Sequence, residues 1–393
     1  MLERTQVGIV GAGPAGLMLS HLLHLAGIES VVLERRSRKY VESRVRAGVL
    51  EDGAAEMLRS SGVGERMDRE GLVHGGIYLQ FGGERHRIDF MDLVGRGIMV
   101  YGQQEVVKDL IEARLATGGD VRFETEVRRL DGLGGEPSIS YLHDGVERLL
   151  ACDFVAGCDG AHGVGRMSLP AGSHAAYERV YPHAWLGILA RTPPASEELI
   201  YARHERGFAL HSMRSPDMSR LYLQVDGADD PGSWPPNRIW DELRLRLNEP
   251  TLQEGEIVEI GVTEMRSLVL EPIQYGKLFL AGDAAHIVPP TGAKGMNLAL
   301  ADVRALAAAV AKWYMSGSSD GLDGYSENCL QRAWRAQHFS AFMTSLLHGD
   351  AAKDPFEHKL QLANLTYIAR SRAAATALAE NYTSAATGVW GSS

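Results

Sequence analysis

Long apolar runs are missing from this 393-residue chain, and nothing in it approaches the ~20 consecutive apolar residues that a membrane-spanning helix requires. Cysteine is scarce. Cys152, Cys158 and Cys329 are too few for a disulfide framework, and no C-x2-C or similar spacing suggests a metal site. Positive charge is in deficit, with 40 Lys and Arg against 50 Asp and Glu and a net charge of -10. That balance excludes the clustered basic face needed to neutralise nucleic-acid phosphates. The opening residues MLERTQVGIV run straight into a glycine motif, with no separate apolar region or cleavage site before it. These absences predict a cytoplasmic protein without metal, membrane or nucleic-acid partner.

Glycine, by contrast, is plentiful, 44 residues where a typical share is about 7%. Such a surplus suits tight turns and backbone that approaches a ligand closely. The apolar run Gln6–Val10 leads into Gly11-Ala12-Gly13-Pro14-Ala15-Gly16. LMLSHLLHLAG follows, with leucines at helical spacing and Gly27 as a stop, and then Ser30–Leu33 ends in Glu34. This reads strand–turn–helix–strand, the opening of a parallel α/β sheet. In the G-x-G-x-x-G pattern Gly11 makes the turn, Gly13 admits a pyrophosphate and Gly16 lets helix and strand pack; Glu34 is placed to accept from a ribose diol. From about Tyr181 the texture changes to short β-rich runs (WLGILART, ELIYARH, GFALHSM, RLYLQVDG) that predict an antiparallel sheet. The α/β texture returns near Gly276, a helix runs from about Gly295, and Arg332 to Tyr382 reads mostly helical.

One glycine fingerprint does not separate NAD from FAD, but two further motifs do. Cys158-Asp159-Gly160 follows an apolar run, and Leu278–Leu280 leads into Ala281-Gly282-Asp283, where a carboxylate at a turn can accept from the sugar-alcohol chain of a flavin. Pro289–Asn297 (PPTGAKGMN) then opens a helix whose N-terminus stabilises negative charge on a reduced isoalloxazine. In this order the motifs resemble those of the FAD-dependent aromatic hydroxylases. Arg44–Glu51, Tyr101-Gly102-Gln103, Glu178–Pro182, His286–Asn297 and Glu380-Asn381-Tyr382 narrow the likeness to the branch acting on 4-hydroxybenzoate, over about residues 5 to 382.

The resemblance implies an α/β fold: a Rossmann-like FAD-binding domain over 1–72, 98–180 and 268–345, an inserted antiparallel β-sheet substrate domain over 73–97 and 181–267, and a C-terminal helical region over 346–393. It implies FAD contacts from Ala15, Glu34, Arg44, Val45, Arg46, Ala47, Gly48, Val49, Gln103, Asp283 and Met296, with Asp159, Lys294 and Asn297 in the same cofactor site. Met296 replaces an expected leucine of similar volume. The implied reaction, part of aromatic catabolism, converts 4-hydroxybenzoate to 3,4-dihydroxybenzoate with O2 and NADPH or NADH through a flavin C4a-hydroperoxide. A homodimer is implied as well.

The substrate residues carry their own logic. Gly207–Gln224 reads as a hairpin; with a connection at Ser215–Ser219, Arg214 would lie opposite Arg220 and Ser212 opposite Tyr222. An anonymous arginine is more often a solvated surface residue, but the resemblance places Ser212, Arg214 and Tyr222 on a carboxylate, which a guanidinium fork holds with two parallel bonds. Met213 joins the substrate set; with His211 and Leu221 it departs from the family pattern and should point to the opposite face. Because an electrophilic oxygen attacks a phenolate faster than a phenol, the resemblance also implies a proton relay, Tyr201 to Tyr382 to His74, with His74 titrating near neutral pH and the Pro290 carbonyl near the substrate phenol. Arg46, Arg220 and Lys294 would make the site positive.

Arg35, Arg36, Arg38 and Lys39 form a basic run after Glu34. The resemblance turns this segment, with Tyr40, Arg44, His162 and Arg166, toward the nicotinamide donor. At helical spacing Arg35 and Arg38 share a face and Arg36 points away, so the pair would hold a 2′-phosphate and favour NADPH. Two competing readings are a sibling hydroxylase for another hydroxy- or aminobenzoate and a flavin-binding sensor without turnover.

Overall fold

The computed structural model describes residues 3–44 and 48–384. Val7, Ile9 and Val10 are buried because their strand, β1 (Glu3–Val10), runs through the interior of an eight-stranded sheet. It pairs in parallel with Val146–Gly157 on one side and with β2 (Ser30–Leu33) on the other. Leu278–Leu280 and Asp120–Arg122 extend the parallel set outward. Strands covered on both faces read as near-continuous apolar runs, which is why they were visible in the sequence. The crossover α1 (Pro14–Leu25) starts with Pro14 in its first turn and buries Leu17, Met18, Leu19 and Leu23. The long helix Gly295–Ser316 packs beside it in the same core.

A second eight-stranded sheet follows the order His286–Ile287, Glu256–Glu271, Ala175–Arg191, Met218–Asp226, Gly207–Ser215, Ile200–His204, Gly76–Phe81, Glu84–Asp89. Its pairs are antiparallel except between Ile200–His204 and Gly76–Phe81. Both faces are covered. Trp185, Tyr201, Leu210 and Tyr222 meet the C-terminal helices Tyr325–Leu347, Pro355–Arg370 and Arg372–Thr383, whereas Ile200, Ala209, Leu221 and Leu223 meet Pro236–Arg246. That last helix corrects the all-strand reading of this region. Its signal was present in Pro236 at the first turn and in Ile239, Trp240 and Leu243 on one buried face.

Three buried histidines make this packing sensitive to acid. His74, His211 and His348 are almost wholly removed from water, and burial pushes their pKa values down to about 4, about 4 and about 3. Each is neutral in the folded chain and takes its proton readily only when unfolded. Their contribution to stability is therefore full above about 6.5 and is lost as pH falls toward 4, at about 2 kcal/mol per histidine by pH 5. We expect the urea midpoint to fall between pH 7.5 and pH 5, and to fall less in His211→Gln. There the new side-chain oxygen can accept from Ala195 N–H, as His211 Nε2 does at 3.0 Å. An equal drop in both proteins would remove His211 from the account.

Candidate active site

The turn after β1 is shaped by its glycines. Gly11 has φ +100°, and a Cβ there would lie 2.5 Å from the Cys158 carbonyl oxygen. A Cβ at Gly16 would stand 1.9 Å from the Gly11 carbonyl oxygen, so α1 comes this close to the turn only without a side chain. Gly13 is different: it precedes α1 with no side-chain cap, and the space its Cβ would enter is open. The free N–H groups of the helix therefore face an unobstructed cradle for phosphate.

Glu34 closes one flank, its carboxylate accepting from Ala12 N–H and from Arg36 N–H at 2.8 Å each. A carboxylate has about four acceptor positions, so capacity for a ribose diol is left. Asp159 lies behind the turn. One of its oxygens accepts from Gly165 N–H at 2.9 Å; the other is buried without a partner among the described residues, and burial raises its pKa. On the other flank Gly282 (φ +62°) nestles against Ala15 and Ala299 and sets Asp283 out into solvent. The turn is braced from behind. The Asp302 carboxylate accepts from Gly282 N–H (3.0 Å) and is 2.8 Å from His286 Nε2, and Arg166 donates to the carbonyls of Asp283 (2.7 Å) and Ala284 (3.0 Å). An uncapped helix start, a glycine with nothing beside it and two carboxylates at the flanks fit the phosphates, ribose and sugar-alcohol arm of FAD.

The Pro290–Gly292 turn and left-handed Ala293 (φ +53°) lead into the helix Gly295–Ser316. Asn297 donates to the carbonyls of Val49 (2.9 Å) and Ala293 (3.0 Å) and accepts from Glu51 N–H (2.9 Å). The Lys294 ammonium donates to Glu51 Oε1 (2.5 Å) and to the Tyr382 carbonyl (3.0 Å). Gly48 is pressed on Tyr101, whose N–H donates to the Gly48 carbonyl at 2.8 Å, and Gln103 starts the next helix beside it. Gly48, Val49, Gln103, Lys294 and Asn297 are thus brought together. Met296 is half-buried against the core, and Arg44 is exposed. Val45, Arg46 and Ala47 lie outside the described residues. Glu51 was given no role from sequence, since an acid ahead of a helix is ordinary and its partner is 243 positions away.

The hairpin register corrects the sequence expectation. Ser212 pairs with Arg220, Leu210 with Tyr222 and Ser215 with Met218, leaving Arg214 in a bulge. The cause is the connection, a two-residue Pro216-Asp217 turn instead of the longer Ser215–Ser219. The faces nonetheless hold, because the slip is even-numbered. Ser212, Arg220 and Tyr222 share the inner side with Tyr201, while His211 and Leu221 point outward; Met213, opposite Ser219, is half-buried on the outer side. Ser212 Oγ donates weakly to the Met213 carbonyl at 3.4 Å.

Arg214 Nη1 is buried with no partner among the described residues. Burial lowers its pKa; the neighbouring Tyr222 opposes that shift and Arg220 adds to it. Arg220 also has an unpartnered buried Nε, and its Nη1 reaches Glu259 at 3.3 Å. Gly187 makes room, since a Cβ there would come within 3.0 Å of Arg220 Nη2 and 3.3 Å of the Tyr222 ring.

Tyr201 and Tyr382 are buried with their hydroxyls 2.6 Å apart, and burial holds both phenols well above their ordinary pKa. His74 is buried, and both of its ring nitrogens lack partners among the described residues. Burial pushes it down to about 4, against the pull of Glu198 and with the help of Arg214, so the expectation that it titrates near neutrality is corrected. The Pro290 carbonyl accepts from Ala293 N–H at 3.0 Å.

The basic run needs a correction too. Helix α2 (Arg38–Ser43) begins only at Arg38, with Ser37 as its cap, so Arg35 and Arg38 are not one helical face. Arg38 pairs with Glu42 at 2.6 Å. Arg35 and Arg36 instead line a cleft of about 400 Å³ of mixed charge with Ser37, Tyr40, Glu124, Glu126 and Asp144, and the Arg36 guanidinium lies 5.1 Å above the Tyr40 ring. His162 is exposed, and Arg166 is engaged beneath Asp283.

Residues 4–340 match the FAD-binding domain family. The chain belongs to this family of FAD-dependent monooxygenases that hydroxylate aromatic compounds. It is 46% identical over 383 residues to p-hydroxybenzoate hydroxylase of Acinetobacter baylyi, covering 96% of this chain and 95% of that protein. A probable NADH-specific resorcinol 4-hydroxylase of Rhodococcus jostii is 27% identical over 319 residues, 78% of this chain and 58% of that one. The crystal structure of p-nitrophenol 4-monooxygenase from Pseudomonas putida superposes with a TM-score of 0.84 at 19% identity, over 97% of this chain and 99% of the other. That likeness shows the shared fold. No helix among the described residues is long and apolar enough to cross a membrane, and no cluster of metal-ligating side chains occurs among them.

The two glycines of the cradle separate folding from cofactor binding. Gly16→Ala should destabilise the chain by at least the about 1–3 kcal/mol of ordinary overpacking. Gly13→Ala should leave the melting temperature of the apoprotein within a degree or two while weakening FAD retention at least tenfold, read from flavin fluorescence on dilution. Equal FAD affinity in Gly13→Ala and the parent would move the pyrophosphate elsewhere.

Proposed function

We propose that the chain hydroxylates 4-hydroxybenzoate at the carbon beside its phenol, giving 3,4-dihydroxybenzoate. The observation that carries this reading is the Arg214 guanidinium, whose buried Nη1 has no partner among the described residues and which lies beside Tyr222 and Arg220. A desolvated guanidinium without a counter-charge is unfavourable, and a carboxylate relieves it with two charge-assisted bonds. The name of the 46% identical relative supports the same substrate.

In this reading Arg214 holds the carboxylate, and the Ser212 and Tyr222 hydroxyls donate to its remaining lone pairs. The para phenol then points to Tyr201, with the Pro290 carbonyl as a second acceptor. Bound FAD supplies the activated oxygen. The chain prepares the ring by withdrawing the phenol proton through Tyr201 and Tyr382 to His74 and solvent. Since both tyrosines resist ionisation, each passes one proton on as it receives another and neither becomes a tyrosinate. Arg220 and Lys294 add positive charge that lowers the substrate pKa. Overall, one oxygen atom of O2 enters the ring, the other leaves as water, and NAD(P)H supplies two electrons. Another benzoate would use the same clamp, but the tyrosine pair serves a para phenol.

NADPH is the proposed donor, with Arg35 and Arg36 at the 2′-phosphate and with Tyr40, Arg44, His162 and Arg166 as its proposed further contacts. The proposal keeps the three-part division of the chain given above. It also includes a homodimer, supported by the exposed apolar stripe Phe356, Leu360 and Tyr367 on one helix, and a cytoplasmic setting, supported by three free buried cysteines. Sedimentation of the holoenzyme at micromolar concentration decides the dimer.

Arg214→Lys should raise the dissociation constant of 4-hydroxybenzoate at least tenfold with an unchanged flavin spectrum, because lysine keeps the charge and loses the fork; unaltered binding would move the carboxylate site elsewhere. Tyr201→Phe should bind substrate and oxidise the nicotinamide but release mostly hydrogen peroxide, and tight coupling at the parental rate would dismiss the relay. The ratio of kcat/KM for NADPH over NADH should exceed one and collapse in Arg35→Ser/Arg36→Ser. A parent that already prefers NADH would make the basic run plain surface.

A further inference from the structure

A pocket of about 150 Å³, lined in part by Glu51, Lys294 and Asn297, opens between the helices Asp52–Ser60, Gly295–Ser316 and Tyr325–Leu347 and the end of Arg372–Thr383. One water needs only about 10–15 Å³ of such space, so the pocket holds more than solvent fill. Its floor is apolar, built from Met57, Leu298 and Phe339, and its rim carries Arg304, Arg332 and Arg335. Arg332 and Arg335 stand at i, i+3 on one helix and therefore share a face, where like charges repel.

None of these three arginines forms an ion pair among the described residues. Arg332 Nη2 meets only the Cys329 sulfur at 3.3 Å and its Nε is buried without a partner; Arg335 Nε makes a long 3.4 Å bond to Asn381 Oδ1; Arg304 is exposed. Among the lining residues the one carboxylate is Glu51, which Lys294 already engages. Three guanidinium groups without an ion-pair partner among the described residues converge here in a chain whose net charge is -10.

We propose that this pocket binds a small aromatic carboxylate at a second site, distinct from the Arg214 clamp, with the ring on the Met57–Leu298–Phe339 floor and the carboxylate between Arg332 and Arg335. A planar anion matches a guanidinium pair, and an apolar body matches the floor. The inference does not depend on which benzoate is hydroxylated at the other site.

Calorimetric titration of the FAD-loaded enzyme with benzoate, in the absence of a nicotinamide donor, tests it. Two binding events per chain are expected. Arg332→Met/Arg335→Met should weaken one at least tenfold and leave the flavin spectrum and the other event alone, whereas Arg214→Lys should weaken only the other. If the double variant does not fold, Arg304→Met, at an exposed position, should still weaken the second event severalfold. Acetate at equal concentration should give no second event. One event per chain, or a second event untouched by the rim variants, overturns the proposal, as does equal displacement by inorganic phosphate, which marks an adventitious ion only. In the parent enzyme, absence of any rim-dependent event beside an intact Arg214-dependent event condemns this pocket alone; the reverse pattern condemns the clamp alone.

Discussion

The Lys294 ammonium, almost wholly removed from water, donates at once to the Glu51 carboxylate and the Tyr382 carbonyl. Beside it Asn297 binds the carbonyl of Val49 and the N–H of Glu51. Three distant parts of the chain meet there: the 48–51 segment, the start of the long helix, and the C-terminal helix that carries Tyr382. A buried ammonium tolerates this position only while its partners stay, and removing one member of such a pair typically costs about 3–5 kcal/mol. The coupling is therefore between the 48–51 segment and the C-terminal helix, because whatever displaces Glu51 also disturbs the placement of Tyr382.

The charge around the substrate side follows a different logic from that of the surface. Exposed pairs such as Arg38–Glu42 are screened and contribute little. Arg214 and Arg220 keep buried nitrogens unsatisfied, with Gly187 leaving Arg220 space. An unsatisfied buried donor is unfavourable to the folded chain alone, and it makes sense as binding capacity held in reserve for an anion.

Much of this was legible before any coordinates. The glycine turn, the two parallel strands around it, Asp283 after its strand and the helix from Gly295 follow from local pattern, because each depends on residues close in sequence. What escaped depends on contacts far apart. The two-residue hairpin turn shifted the register around Arg214, which no alternation of residue types reveals. His74 lost its neutral-pH character to burial by segments it never adjoins in sequence. The basic run at Arg35–Lys39 was read at helical spacing, yet the helix starts three residues later, at a serine cap that local rules do allow one to find. Glu51 is invisible without its lysine.

The tyrosine pair has a consequence for solvent isotopes. In the proposed relay, the two hydroxyls at 2.6 Å, whose ionisation burial disfavours, would pass their hydrogens in concert. Two hydrogens are then in flight in a single event, and in mixtures of light and heavy water the rate of that event declines as a curve against the deuterium fraction instead of a straight line. A chain built around one tyrosinate would show the straight line. The bond length between two phenols thus sets a kinetic signature legible in the bulk solvent.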